Sequence, residues 1–421
     1  MLRFFHIGDL HFGKLLHSIL MVEEDQPFWI DEFLKKVDEY KPDAILIAGD
    51  VYDRKIPSNE AIKLLNYMLT QLSKRKVPVM IVAGNHDSAI RLSYAKDILC
   101  EQNIYIATNV SKEIEKVTMK DEYGEVVFWL LPYLYPKAVA DKEILDDDSI
   151  NDYSQAVSRL LAEQEIDKSK RNVIVIHQNV LAGEKRPEHS DSERIIGGLG
   201  EIDVALFDDF DYVAMGHIHN AQAMGRDSAR YAGCPMYYDF SEADREKYIT
   251  MVELKGRNQE MEIRKIKVPL LHEMKVITGS FEEVLEEGRQ IPNLHRFHIQ
   301  VRLKERHLPS GAIDKLREVF GTSLINVVKE KMTYADSDNK NSTKIITDNE
   351  EKSVEQLFEE FYMQQNDGEL LTSQQDKLIE KILEQQSRSG NDLFENFGDV
   401  PKEDVDELVE SLFEGLDNET A

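Results

Sequence analysis

Short apolar runs alternate with longer segments of helical periodicity along the first 270 residues. The apolar runs are too short for helices and predict buried strands at residues 2–7, 44–48, 77–82, 126–131, 173–176 and 212–215. Apolar residues at helical spacing predict helices over residues 24–40, 59–74, 88–100 and 153–165. Alternation and turn signals predict antiparallel strands at residues 230–233, 248–254 and 261–268. The pattern indicates an α/β fold whose sheets are buried by helices.

The helix predicted at residues 59–74 has more apolar positions than one packed face needs. Asn59 is the predicted N-cap, and Leu65 and Met68 are among the residues expected to point outward. The pattern therefore indicates two buried faces, one of them against another subunit.

The pattern changes after residue 270. A small α/β domain with the order β-α-β-α-β is predicted from residues 274–278, 281–287, 296–303, 312–320 and 324–331. Polar, charge-mixed residues then predict a linker, and helical patterns follow at residues 354–362, 373–385 and 405–412. The predicted organisation is a main domain (1–270), a small α/β domain (271–333), a linker (334–349) and a helical, acidic C-terminal segment (350–421). Its apolar stripe, which includes Leu357 and Phe361, suits docking to a partner.

Composition excludes several classes of protein. The net charge of −28 argues against binding nucleic acid through overall charge, so DNA binding would need local basic groups, metal ions or a partner. We expect no membrane segment, because no apolar run reaches about 18 residues. Two cysteines and the lack of a signal-peptide pattern favour the cytoplasm. The sequence has no phosphate-binding P-loop motif, so any ATP hydrolysis must come from another chain.

Oxygen and imidazole side chains follow the predicted strands, often directly after a glycine. They are Asp9, His11, Asp50, Asn85, His177, His217 and His219. One such residue at a strand end is usually structural, but the recurrence at five strand ends predicts a metal site. Two divalent ions that share Asp50 would use all seven ligands, and the absence of thiolates favours Mn²⁺ or a similar ion. Such a pair is suited to the hydrolysis of phosphate esters.

These motifs together resemble the calcineurin-like metallophosphoesterase family. The motifs are Asp9-x-His11, Gly49-Asp50-x-x-Asp53, Gly84-Asn85-His86-Asp87, His177 and Gly216-His217-x-His219. Further runs resemble the SbcD-type nuclease branch of that family, at residues 190–194, 210–219, 231–235 and 240–243. The resemblance implies a β-sandwich flanked by helices, with a small α/β capping domain and C-terminal helices.

The resemblance also implies an activity and partners. The activity would be an ATP-dependent, Mn²⁺-dependent 3′–5′ exonuclease on double-strand DNA ends and an endonuclease on single strands and hairpins. It would serve DNA repair, recombination and replication. The partners would be DNA, an SbcC-type coiled-coil ATPase and a second copy of the chain, joined through the helices at residues 59–74 and 88–100.

The family pattern assigns roles to single residues. Asp9, His11, Asp50 and His219 would hold one ion, and Asp50, Asn85, His177 and His217 the other. His86 would stabilise the transition state or protonate the leaving 3′ oxygen, with the carboxylate of Asp53 behind it. Two alternatives remain open: another phosphoesterase, such as a protein phosphatase or a nucleotide or cyclic-nucleotide hydrolase, and a non-catalytic scaffold of the same fold.

Overall fold

The computed structural model describes residues 1–329, apart from 18, 194–199, 258, 306–308 and 310. The predicted linker and C-terminal segment lie outside these described residues, as do Arg194, Leu357 and Phe361. Residues 330–333 of the predicted small domain also lie outside the described residues.

Two six-stranded sheets form the centre of the structure before residue 270. The strands, in chain order, are β1 (Leu2–Ile7), β2 (Leu15–Leu16), β3 (Ile19–Leu20), β4 (Ala44–Ala48), β5 (Val79–Val82), β6 (Ile104–Ala107), β7 (Glu115–Asp121), β8 (Gly124–Leu131), β9 (Arg171–His177), β10 (Asn179–Leu181), β11 (Glu201–Asp203), β12 (Tyr212–Gly216), β13 (Ala223–Met224), β14 (Arg226–Tyr231), β15 (Ile249–Leu254), β16 (Glu262–Ile266), β17 (Glu273–Gly279), β18 (Phe297–Leu303) and β19 (Leu324–Lys329). The first sheet has the order β16-β15-β1-β4-β5-β6, and the second β13-β14-β12-β9-β8-β7.

Helices cover the outer faces of the two sheets. They are α1 (Asp25–Tyr40), α2 (Asn59–Lys74), α3 (Ala89–Leu92), α4 (Lys96–Cys100), α5 (Pro136–Ala140) and α6 (Tyr153–Ala162), followed in the C-terminal part by α7 (Phe281–Gln290) and α8 (Ala312–Phe320). Central strands such as β4 are buried along their whole length, because a helix layer lies on one face and the other sheet on the opposite face. Burial on both faces explains why these strands appear in the sequence as unbroken apolar runs.

Aromatic rings fill the space between the sheets. The ring of Phe4 packs edge-on against Phe128, with centroids 5.8 Å apart, and against Tyr212, at 5.4 Å. These contacts join β1 of one sheet to β8 and β12 of the other, and so confirm the predicted sandwich.

Most of the predicted helices are present, but the cap of one and the continuity of another differ from the prediction. Ser58, not Asn59, caps α2, because its hydroxyl accepts a hydrogen bond from the amide of Ala61 at 3.2 Å. The single helix predicted at residues 88–100 is wrong, since α3 and α4 are separated by Ala95 in a left-handed conformation (φ 60°). This break turns the chain between the two short helices.

The strand at residues 226–231 also differs from the prediction. β14 is antiparallel only to the short β13 and runs parallel to β12, whereas β15 and β16 are antiparallel as predicted. A turn at Gly225 (φ 70°) reverses the chain after β13, so β14 returns in the direction of β12.

The predicted β-α-β-α-β order after residue 270 is confirmed. β17, β18 and β19 form a parallel three-stranded sheet, with α7 and α8 in the connections. Its apolar core is separate from those of the sandwich and includes Val284, Val301, Leu316 and Phe320. The domain boundary at residue 270 stays a prediction. Among the described residues, no helix is long and apolar enough to cross a membrane.

Candidate metal centre

The polar residues predicted as ligands lie where the strands of both sheets end. Asp9, Asp50 and Asn85 follow β1, β4 and β5, which run parallel in the first sheet. His177 ends β9, and His217 follows β12, which is parallel to β9 in the second sheet. The His177 Nδ1 donates to the carbonyl of Ala48 at 2.8 Å and links the two sheets at this edge. All seven predicted ligands therefore meet at one end of the sandwich.

Several of these residues have a left-handed backbone, which non-glycine residues seldom adopt. The φ angles are 51° at Asp9, 42° at His11, 48° at Asp50 and 97° at His217. Such a conformation costs on the order of 1–3 kcal/mol per residue and persists where the surroundings enforce it. The turns point the side chains towards a common centre.

Two glycines are required by close packing at this edge. A Cβ on Gly216 would lie 1.7 Å from the carbonyl oxygen of Ala48, and one on Gly84 would lie 2.1 Å from Oδ1 of Asp50. Both distances are far below van der Waals contact. The glycines therefore let the ligand-bearing turns approach each other.

A first group of ligand atoms surrounds the Nε2 atom of His11. This atom lies 3.1 Å from Nε2 of His219 and 3.7 Å from Oδ2 of Asp50. Asp9, His11 and His219 each offer a ligand atom, and these atoms lie within 4.8 Å of one another. The set matches the first ligand group that the family pattern implies.

A second group surrounds the amide oxygen of Asn85. This oxygen lies 3.0 Å from Nε2 of His177 and 3.0 Å from Nδ1 of His217. The His177 Nε2 also lies 3.3 Å from Oδ2 of Asp50. Because the same carboxylate oxygen approaches both groups, Asp50 stands between them.

The donor atoms fit divalent cations. His177 donates its Nδ1 proton to the Ala48 carbonyl, so Nε2 is the atom that faces Asp50 and Asn85. Burial lowers the pKa of His177, but the charge of Asp50 outweighs burial and raises this pKa to about 9, so a bound cation would replace the Nε2 proton. Burial, followed by repulsion from His177, lowers the pKa of His217 to about 3, so that this imidazole is neutral, as a ligand must be. Burial raises the pKa of Asp9 to about 7 against the opposing charges of His177 and His219. A cation would favour the ionised form of Asp9 and satisfy the facing lone pairs.

His86 stands beside these ligands. Its amide donates to Oδ1 of Asp50 at 2.9 Å, and its Nδ1 donates to the main-chain carbonyl of Asp53 at 2.8 Å. A carbonyl only accepts, so Nδ1 carries the proton of the neutral ring and Nε2 is the atom that exchanges protons. Together with Lys14 and Arg54, His86 lines a cavity of about 700 Å³ over the ligands.

No hydrogen bond joins His86 to the carboxylate of Asp53, although a ring nitrogen of one and a carboxylate oxygen of the other lie within 4.8 Å. That carboxylate lies 3.0 Å from Nζ of Lys14 and 3.6 Å from Nδ1 of His11. Asp53 lies next to His86, but the group that holds the His86 ring is the main-chain carbonyl of Asp53. Lys14, which pairs with the side chain, accounts for the difference.

The sequence matches the calcineurin-like phosphoesterase family over residues 2–221, which is more than half of the chain. The chain belongs to the calcineurin-like phosphoesterase family. The matched region contains every ligand described above and His86.

Other comparisons extend this result. The C-terminal region matches the family described as type 5 capsule protein repressor C-terminal domain over residues 270–366. The chain is 29% identical over 387 residues to the D subunit of nuclease SbcCD from Staphylococcus saprophyticus, which covers 91% of this chain and 98% of that protein. The chain is thus a homologue of this nuclease component. Together, this homology and the phosphoesterase family match identify a hydrolase that acts on phosphodiester bonds.

Two solved structures also match. TT1561 of Thermus thermophilus has a TM-score of 0.34 and 11% identity, and the match covers 63% of this chain and 99% of that one. The phosphoesterase Yfce from E. coli has a TM-score of 0.26 and 12% identity, with 60% and 88% of the two chains covered.

The phosphoesterase site has supporting residues to which the sequence assigned no role. Ser192 and Glu193 hold His219: the imidazole Nδ1 lies 2.7 Å from Oγ of Ser192, and the amide donates to Oε1 of Glu193 at 2.7 Å. Ser192 in turn donates to Oε1 of Glu242 at 3.0 Å. These contacts fix Nε2 of His219 as the atom that faces His11. The runs at residues 190–194 and 240–243 carried the only signal, as resemblance without a role.

Behind this contact lies a buried ion pair. The Lys247 Nζ lies 2.8 Å from Oε2 of Glu242 and 3.0 Å from Sγ of Cys234. Burial by itself would raise the pKa of Glu242, but the charge of Lys247 and contact with His219 lower it below its usual range. Glu242 therefore stays ionised and supports the orientation of His219.

We expect Glu242→Gln to lower the affinity of the phosphoesterase site for its cation by about 10–100-fold, as is typical when a residue behind a ligand is lost. Calorimetric titration of the metal-free chain with Mn²⁺ measures the change. Glu246→Gln is the matched control, because Glu246 is an exposed neighbour on the same segment. Equal affinities in the two variants would contradict the supporting role of Glu242.

Proposed function

We propose that the chain is the Mn²⁺-dependent nuclease component of a DNA-processing complex. It would act as an ATP-dependent 3′–5′ exonuclease on double-strand ends and as an endonuclease on single strands and hairpins. The observation that carries the proposal is the pair of ligand groups on either side of Asp50, with His86 beside them. The homology to the D subunit of nuclease SbcCD supports DNA as the substrate, and repair, recombination and replication as the processes.

The seven ligands would hold two ions, with Asp9, His11, Asp50 and His219 on one side and Asp50, Asn85, His177 and His217 on the other. Bound divalent ions supply Lewis acidity that activates water and offsets phosphoryl charge. The donors are oxygen and imidazole, which supports Mn²⁺ rather than an ion that prefers thiolates.

His86 would act at the leaving group. Its Nδ1 is held by the Asp53 carbonyl, so the opposite nitrogen is the one that can give a proton to the departing 3′ oxygen or stabilise the charge on it. Lys14 and Arg54 add positive charge to the same cavity. The cavity also carries Asp50, Asp53, Asp191 and Glu193, so most of the positive charge that meets a phosphodiester would come from the bound divalent ions.

A nuclease assay tests this function. The purified chain is incubated with Mn²⁺ and end-labelled duplex, hairpin and single-stranded DNA, with and without the SbcC-type ATPase and ATP. We expect single-strand cleavage by the chain alone and ATP-stimulated degradation of duplex ends in the complex. Hydrolysis of a phosphoprotein or a cyclic nucleotide without DNA cleavage would establish another phosphoesterase activity instead. Metal binding without any hydrolysis would indicate a scaffold.

We also propose a homodimer, through the expected segment at residues 88–100 but without Leu65 and Met68 of α2. Leu65 and Met68 are only 6% and 0% exposed and pack into the core, so the prediction that they point outward is wrong. Ile90 and Tyr94, by contrast, are 85% and 82% exposed, and Ile98 lies exposed on α4 nearby. Large apolar side chains grouped in this way are typical of protein interfaces.

Replacing both Ile90 and Tyr94 by Glu should convert the dimer into a monomer, because the charges would be buried in the contact without partners. Light scattering coupled to size exclusion measures the mass. Tyr123→Glu is the control, since it changes an exposed aromatic residue at the turn between β7 and β8. A wild-type chain that is monomeric at every concentration would refute the dimer.

The ATPase would dock on the C-terminal segment. We propose the division into a nuclease domain (1–270), a capping domain (271–333), a linker (334–349) and a partner-binding segment (350–421). The helical patterns beyond the linker and the apolar stripe at Leu357 and Phe361 support docking of the ATPase on this segment.

The sequence composition further supports a cytoplasmic location.

Truncation near residue 340 should leave a chain that binds Mn²⁺ and cuts single strands but no longer co-purifies with the ATPase. ATP stimulation on duplex ends should be lost with it. Charged replacements at Leu357 and Phe361 in the full chain should give the same result. If the truncated chain binds the ATPase with wild-type affinity, the docking site lies elsewhere.

A further inference from the structure

A second group of metal-type side chains lies where the three-stranded sheet meets the sandwich. Asp25 begins α1, His272 directly precedes β17, and His298 lies in β18. The Asp25 Oδ1 lies 2.9 Å from Nδ1 of His272, and Oδ2 lies 3.4 Å from Nε2 of His298. We call these three residues the junction cluster. None of them belongs to the phosphoesterase ligands.

The spacing within the junction cluster suits one small cation. One ligand atom from each residue lies within 4.8 Å of the other two. Zinc bonds of about 2.0–2.2 Å in a tetrahedron place neighbouring ligand atoms roughly 3.3 Å apart. The two separations given above, each to a different oxygen of Asp25, lie on either side of that value. Two imidazoles and one carboxylate are a donor set that zinc binds with a fourth position left for water or another ligand.

The surroundings leave room for that fourth position. The junction cluster opens into a cavity of about 500 Å³, whose walls also carry Glu23, Glu24 and His295. The cluster itself is largely buried, and the ring centroids of His272 and His298 lie 4.3 Å apart with the rings tilted by 37°. A carboxylate and two imidazoles around one point are arranged as cation ligands.

We propose that Asp25, His272 and His298 bind a Zn²⁺ ion that is separate from the phosphoesterase ions and joins the three-stranded sheet to the sandwich. The ion connects three segments that are distant in sequence.

The junction cluster is also connected by hydrogen bonds to the turn that carries His11. Gln26, the neighbour of Asp25, donates to the carbonyl of His11 at 2.8 Å and accepts from the amide of Gly13 at 3.0 Å. A cation on Asp25 therefore fixes the start of α1 and, through Gln26, the main chain that carries His11. Loss of the ion should loosen this turn without removing any phosphoesterase ligand.

Metal stoichiometry tests the proposal on the full chain. Metal-free protein is dialysed against Zn²⁺, and bound zinc per chain is measured by plasma mass spectrometry. We expect His298→Gln and His272→Gln each to bind one equivalent less than the wild type. His17→Gln, which removes an exposed imidazole elsewhere, should bind as much zinc as the wild type. Equal zinc content in all four proteins would overturn the proposal.

A second measurement separates this site from the phosphoesterase ions. In Asp50→Asn, the phosphoesterase ions should be weakened while the junction ion remains. X-ray absorption at the zinc edge in this variant should then show two imidazoles and oxygen ligands, and adding His298→Gln should remove that signal. Because the spectrum needs no catalytic activity, failure of the nuclease proposal would leave this test intact. If Asp50→Asn retains no zinc, the junction cluster does not bind it.

Discussion

Replacing His86 by Gln is expected to abolish phosphodiester cleavage while both metal ions stay bound. General acid–base catalysis by a positioned side chain contributes about 10²–10⁴-fold, and a rate loss of that size is expected here. The Gln amide can still donate to the Asp53 carbonyl, but it cannot carry a proton to the leaving oxygen. His86 contacts Asp50 only through its amide, so the ligand atoms are left in place.

Single-turnover cleavage of labelled single-stranded DNA with Mn²⁺ measures this loss, and metal analysis of the same sample measures the ions. Asp53→Asn is the matched control, because it keeps the main-chain carbonyl that orients His86. It should lose less activity than His86→Gln. Loss of metal in His86→Gln, or a wild-type rate, would contradict the assignment of His86.

Asp50→Asn has the second large effect, because one residue approaches both ligand groups. Its Oδ2 lies 3.7 Å from Nε2 of His11 and 3.3 Å from Nε2 of His177. The change removes the negative charge between the two ions and places an amide that carries two N–H donors where one oxygen served both. We expect weaker binding of both ions and loss of cleavage together.

Titration with Mn²⁺ and metal analysis after dialysis measure this effect. Asp38→Asn is the control, since Asp38 pairs with Arg75 on the surface and faces neither ligand group. If Asp50→Asn loses only one of the two ions, Asp50 does not bridge them and the two-ion arrangement needs revision.

The sequence alone predicted where the strands lie, which polar residues follow them, and that these residues offer oxygen and imidazole atoms. β4, β5 and β12 are buried along their length and appear as apolar runs, while Gly49, Gly84 and Gly216 mark where those runs end. The side chains that follow these glycines, such as Asp50 and Asn85, are the next residues in the sequence and can be identified without the structure. Parallel strands bring the ends within one sheet together, but His177 and His217 belong to the second sheet, so only the packing of the two sheets brings all the predicted ligands to one edge.

Only the tertiary structure decided how that site is supported and which faces stay exposed. Glu242 contacts His219 and pairs with Lys247, and no local sequence pattern predicts the contact between Glu242 and His219. Periodicity likewise gives the apolar positions of α2 but not the direction of the core, and so Leu65 and Met68 were assigned to the wrong side. The junction of Asp25 with His272 and His298 joins segments more than 240 residues apart, which only packing of the small sheet on the sandwich brings together.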